Sequence, residues 1–144
     1  MRTLGILGIC SMIFGVGIDL VNIPRMETVL ERWGERFVKR VFTEQEAEIC
    51  RQRANPAASF ALRFAAKEAF SKALGLGMRR GIRWRDIEVY HLPGGRPTLK
   101  LRGKSSELCR GRGIARLHLS LSDEGSYGAA VVILEDGDET GQSF

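Results

Sequence analysis

An aspartate, Asp19, closes an apolar stretch containing Ile13, Phe14, Val16 and Ile18 that reads as a buried strand. Gly15 and Gly17 sit within that stretch, and glycines let a second backbone or a ligand come close. Asp19 therefore reads either as a functional carboxylate at a strand end or as a cap for the helix that begins near Asn22; position leaves both open. Glu68 and Lys72 lie four residues apart, and on a helix they share a face with Phe64. An exposed pair at that spacing contributes only about 0.3–0.5 kcal/mol, so spacing favours a solvated pair over a catalytic one. Arg63, Lys67 and Lys72 precede Gly75, Gly77 and an arginine-rich loop, a grouping able to neutralise phosphates. GLGMRRG is not a P-loop, because it lacks the Gly-Lys-Ser/Thr ending and does not follow a strand. Ser71 has no histidine near it in sequence to activate it. His118 alternates with Ser120 and Ser122, where a lone histidine is more often structural than catalytic. Two carboxylates beside this positive charge suggest Mg²⁺ and a phosphorylated substrate, since Mg²⁺ takes one or two protein carboxylates when phosphate oxygens and water complete its shell.

The elements that must position these groups follow from the hydrophobic pattern. Pro24 fits the first turn of a helix opened by Asn22. Met26, Val29, Leu30, Trp33 and Phe37 recur at helical spacing, opposite Arg25, Arg32, Arg36, Lys39 and Arg40. Thr43 followed by Glu46 is a capping box for a short helix to about Arg53. Asn55-Pro56 starts an alanine-rich helix from Ala57 to Leu74, stopped by Gly75 and Gly77. The period then changes: DIEVY and PTLKLR alternate around a PGG turn, GKSSELCRGRG reads as a short helix, and RLHLSLS puts Leu117, Leu119 and Leu121 on one face. DEGS turns the chain into YGAAVVILE as a last strand. The expected class is α+β in a single domain, a helical block packed on an antiparallel sheet.

A chain of 144 residues has the size of one domain, and 44% hydrophobic with 27% charged residues excludes a mostly disordered polymer. Net charge is +5, but Glu135, Asp136, Asp138 and Glu139 crowd the last ten residues; residues 1–134 hold 22 basic and 13 acidic groups, net +9. Such a body expects an anionic partner. The stretch Arg102 to Arg116 has no interleaved aromatic residue, which argues against nucleic acid. Cys10, Cys50 and Cys109 form no CxxC pair and read as incidental thiols in a reducing compartment. The apolar N-terminal run is interrupted by Gly5, Gly8, Gly15 and Gly17 and lacks a small-residue cleavage site, so neither a signal peptide nor a membrane span is expected, and the location is cytoplasmic.

GVGIDLVNIPR (Gly15 to Arg25), RFAAKEAFSKALG (Arg63 to Gly75) and HLSLSDEGSYGAAVVI (His118 to Ile133), in this order and spacing, resemble the holo-[acyl-carrier-protein] synthases, the small bacterial class of 4′-phosphopantetheinyl transferases. The resemblance covers about Met12 to Glu135 and divides the chain into an N-terminal extension (1–11), a 4′-phosphopantetheinyl transferase domain (12–135) and a loose acidic tail (136–144). It implies transfer of the 4′-phosphopantetheine arm of coenzyme A to a serine of apo-acyl carrier protein in fatty acid biosynthesis, with release of adenosine 3′,5′-bisphosphate. It also implies a homotrimer with active sites at subunit clefts. Carried over by motif position, Asp19 and Glu68 hold Mg²⁺, Glu68 and Lys72 are catalytic, and Arg63, Ser71, Lys72 and His118 bind coenzyme A. Arg25 on the first helix meets the acidic carrier. Asp123 stands where many relatives have a second histidine. Two other readings are a non-catalytic module of the same fold that binds a carrier or nucleotide, and a small basic RNA-binding protein.

Overall fold

The computed structural model describes residues 11–137. Residues 1–10 of the expected extension and 138–144 of the expected tail lie outside that range. Strand β1 (Ile13–Asn22) leads into α1 (Ile23–Trp33), α2 (Glu35–Val41), α3 (Glu44–Arg51) and the long α4 (Pro56–Ala73). The hairpin β2 (Ile87–His91) and β3 (Pro97–Leu101) follows, then α5 (Gly103–Gly111) and a second hairpin, β4 (Ile114–Glu124) and β5 (Tyr127–Asp136). All pairing is antiparallel, in a three-stranded sheet ordered β1-β5-β4 and a separate β2-β3 ribbon. The α+β expectation holds, and no helix among the described residues is long and apolar enough to cross a membrane.

Local signals account for most boundaries. Asn22 caps α1 by accepting from the Arg25 amide at 2.9 Å, with Pro24 in the first turn. Thr43 and Glu46 complete the capping box of α3 in both directions. Asn55 accepts from the Ala58 amide ahead of Pro56. Gly125, with φ 60°, is the first central residue of the two-residue turn between β4 and β5. One expected helix divides into two: Gly34, at φ 50°, ends α1 and starts α2, so the apolar stripe from Met26 to Phe37 is bent.

Helix α4 lies across the three-stranded sheet, and its alanines make that approach unusually close. Ala65, Ala66 and Ala69 are wholly buried with Phe70, against Ala130, Val132 and Leu134 of β5. Gly15 and Gly17 pair with Leu134 and Val132 and so face α4. A Cβ on Gly15 would stand 2.0 Å from the Ala73 carbonyl oxygen, and one on Gly17 1.8 Å from that of Ala69. Positions 15 and 17 of β1 must therefore be glycine. The expectation of a buried apolar strand ending at Asp19 is corrected here: β1 continues to Asn22, and Ile13, Phe14, Val16, Ile18 and Leu20 are exposed, Ile18 and Leu20 by 62% and 67%. With the α4-facing positions reserved for small groups, the bulky residues take the opposite side.

A second core gathers α1, α2, α3 and the start of α4 around Met26, Phe42 and Phe60. Cys50 and Cys109 are buried free thiols; burial pushes both up, Cys109 to about 12, which keeps them unreactive. Strand β5 runs one residue into the expected tail, and Asp136 closes a loop with Met12 through Asp136 N–H to Met12 C=O (2.9 Å) and Met12 N–H to Asp136 Oδ1 (3.0 Å).

Candidate active site

Asp19 faces α4 because it follows Gly15 and Gly17 on the same side of β1, opposite the buried Ala130. Glu68 and Lys72, one turn apart on α4, meet it there. Lys72 reaches past its helical neighbour: Nζ donates to Asp19 Oδ1 at 2.8 Å and to the Ile18 carbonyl at 3.0 Å. The solvated Glu68–Lys72 pair that spacing favoured is thus replaced by an ion pair between strand and helix. Burial raises Glu68 above the usual carboxylate range, the Asp19 charge raises it further, and Lys72 pulls in the opposite direction. Two carboxylates and one ammonium converge on a half-buried spot, leaving an excess of negative charge. Among the described residues no cluster of three or more His, Cys, Asp or Glu forms a self-sufficient metal cage. Two carboxylates suit a hard cation whose other ligands come from a phosphorylated substrate and water.

Arg63 lies further toward the start of α4 and is 3% exposed. Its Nη1 donates to Ser59 Oγ at 2.6 Å and weakly to the Ser59 carbonyl, while Nε and Nη2 have no hydrogen-bond partner. Unpaired guanidinium nitrogens in the interior are costly, and an anion relieves that cost. His91, at the end of β2, is lowered by burial and then by Arg63 and Arg53, which marks a positive field around Arg63. Ser59, Arg53 and His91 escaped the sequence reading. Ser59 was detectable one helical turn before Arg63; the other two come from separate elements.

Ser71 is buried and its hydroxyl donates to the Glu68 carbonyl at 2.7 Å, which ties it to its own helix. Lys67 is corrected as a phosphate group. It is fully buried, and Nζ donates to Glu46 Oε1 and the Val41 carbonyl at 2.7 Å and the Trp84 carbonyl at 3.1 Å. Arg25 is exposed in the first turn of α1. His118 pairs with Ile133, placing it on the sheet face that carries Val16 and Ile18, opposite to the face of Asp19. Within one chain the two sides of the expected site are separated by the sheet. Asp123 lies at the exposed end of β4.

The sequence from residue 15 to 132 matches the model of the 4′-phosphopantetheinyl transferase superfamily. A holo-[acyl-carrier-protein] synthase of Koribacter versatilis is 49% identical over 125 residues, spanning 87% of this chain and all of that protein. One from Syntrophus aciditrophicus is 52% identical over 124 residues, 86% of this chain and 97% of its own. Among solved structures, the holo-[acyl-carrier-protein] synthase of Neisseria meningitidis superposes with a TM-score of 0.80 at 36% identity, covering 87% of this chain and all of that one. The Helicobacter pylori enzyme, in complex with coenzyme A, gives 0.73 at 32% identity, covering 83% and 98%.

Proposed function

The chain belongs to the 4′-phosphopantetheinyl transferase superfamily, and from that membership we propose that it acts as a holo-[acyl-carrier-protein] synthase. It transfers the 4′-phosphopantetheine group of coenzyme A to a serine hydroxyl of apo-acyl carrier protein, releasing adenosine 3′,5′-bisphosphate, in the cytoplasm and for fatty acid biosynthesis. The observation that carries this reading is the convergence of Asp19, Glu68 and Lys72, with Glu68 raised by burial and by Asp19. Asp19 and Glu68 would hold Mg²⁺, which when bound supplies positive charge to the pyrophosphate of coenzyme A.

The chain's own groups supply positioning and charge, the main levers of phosphoryl transfer. Serine attacks the β-phosphorus on the pantetheine side, and negative charge grows on the leaving phosphate. Lys72, held at Asp19, donates to that oxygen. Glu68, raised above the usual carboxylate range by burial and by Asp19, accepts the serine proton through a water at the site. Arg63 offers its free Nε and Nη2 to the anionic adenosine end of coenzyme A, Ser71 fixes the helix backbone at Glu68, and His118 adds an imidazole to the coenzyme A site. Arg25 meets the carrier, whose acidity suits the basic residues Arg25, Arg32, Arg36, Lys39 and Arg40 of α1 and α2 and speeds encounter. His118 and Asp19 lie on opposite sheet faces, and the exposed Val16, Ile18 and Leu20 offer an apolar surface; both favour a homotrimer in which one copy's His118 completes another's Asp19 site.

Intact-mass spectrometry of apo-acyl carrier protein incubated with the chain and coenzyme A tests the reading. A gain of about 340 Da with Mg²⁺ and none with EDTA is the expected result. Carrier binding without a mass gain at saturating coenzyme A and Mg²⁺ would instead identify a non-catalytic module.

A further inference from the structure

His118 is held by a group that the reaction has not yet used. Strands β4 and β5 pair with His118 opposite Ile133 and Arg116 opposite Glu135, which sets Glu135 diagonally beside the imidazole on the outer sheet face. Glu135 Oε2 lies 2.6 Å from His118 Nε2, and Oε1 accepts from the Ser11 hydroxyl at 3.2 Å. Both oxygens of the carboxylate are engaged, so its plane is fixed from two sides. An ionised carboxylate only accepts, which requires the proton on Nε2 and makes Nδ1 the nitrogen left for a ligand. The hydrogen bond from His118 holds Glu135 below the usual carboxylate range, with burial opposing and Ser11 and Arg116 adding. Glu135 is therefore ionised at neutral pH. The charged groups around the pair are Arg116 on β4 and Arg96 in the β2-β3 turn, which with His118 line a groove of about 560 Å³.

We propose that Glu135 is a positioning residue for His118: anchored by Ser11, it fixes the ring through Nε2 and commits Nδ1 to the adenosine end of coenzyme A. This rests on the transferase reading above. Ser11 belongs to the segment expected to be an extension, so that segment contributes a hydroxyl to the arrangement.

Steady-state kinetics of the full chain with coenzyme A and apo-carrier, together with binding of adenosine 3′,5′-bisphosphate, test it. Glu135→Ala is expected to raise KM for coenzyme A about tenfold with kcat within about twofold, because a ring free to rotate weakens binding more than the chemical step. Glu135→Gln keeps an acceptor oxygen and is expected to return KM to within about threefold of the parent; Ser11→Ala raises it about twofold. His118→Ala and His118→Ala/Glu135→Ala should be equal in KM, since Glu135 acts only through the ring. An unchanged KM in Glu135→Ala, or effects of the two single variants that multiply in the double, would overturn the proposal. If Glu135→Ala does not fold, Glu135→Gln and Ser11→Ala against the His118→Ala background carry the same comparison. Absence of turnover by the parent chain removes the transferase reading instead, and bisphosphate affinities then decide the role of Glu135 by the same criteria.

Discussion

Lys67 and Glu68 are consecutive on α4 and resolve the cost of charge away from water in opposite ways. Lys67 faces the helical block, where Glu46 and two carbonyls take all three of its protons. Glu46 in turn accepts from the amides of Thr43 and Val89, so one ion pair joins α2, α3, α4 and β2. Burial still lowers Lys67, with Glu46 opposing. Glu68 faces the sheet, meets a second carboxylate, and shares a single ammonium with it. The first arrangement is closed, and no ligand is needed to satisfy it. The second is left unbalanced, which suits the cation and phosphorylated substrate proposed for it. A candidate ligand site is thus readable from incomplete neutralisation beside a complete one.

The largest contrast lies in activity. Asp19→Ala or Glu68→Gln should abolish carrier modification by at least about 10³-fold, with a circular-dichroism melt that stays cooperative; retention of parental turnover in either would detach the site from the chemistry. Lys67→Met should do the reverse, destabilising by about 3–5 kcal/mol in urea titration because it strands a buried Glu46. In the double variant Lys67→Met with Glu46→Leu much of that loss should return, and full persistence of the loss would show that the pair does more than satisfy itself. Gly17→Ala should cost about 1–3 kcal/mol by forcing β1 away from α4, measured in the same titration. The smallest effect sharpens the comparison in the ligand-free chain. Glu68 has a raised folded pKa, so the folded state binds the proton more tightly, and stability falls as pH rises from 4.5 through the folded value. Glu68→Gln removes that penalty; its melting midpoint should exceed the parent's at neutral pH, by an amount worth less than about 1 kcal/mol, and the gap should close below pH 4.5.

The parts of this molecule legible in its sequence are those set by neighbours along the chain. Caps at Asn22, Thr43 and Asn55 and the alternation in β4 needed only a few residues each. The motif around Glu68 was legible as a resemblance, and the family match bears that out. The orientation of β1 was not, because its apolar residues carry the pattern of a buried strand while the backbone of α4 leaves room only for hydrogen at positions 15 and 17. Lys67 looked like its neighbours in charge, and its partner Glu46 lies 21 residues away. The separation of His118 from Asp19 depends on strand register, which no single segment encodes.

If the proposed assembly covers the exposed row Val16, Ile18 and Leu20, output is tied to abundance. Under the proposed assembly, copies that cover this row and complete one another's site bind only the folded chain, so folding and catalysis obey the same mass action. Diluting the protein should lower activity per molecule as well as thermal midpoint. A cell making little of this chain would then hold less capacity than its copy number implies, and the dose response would rise faster than linearly.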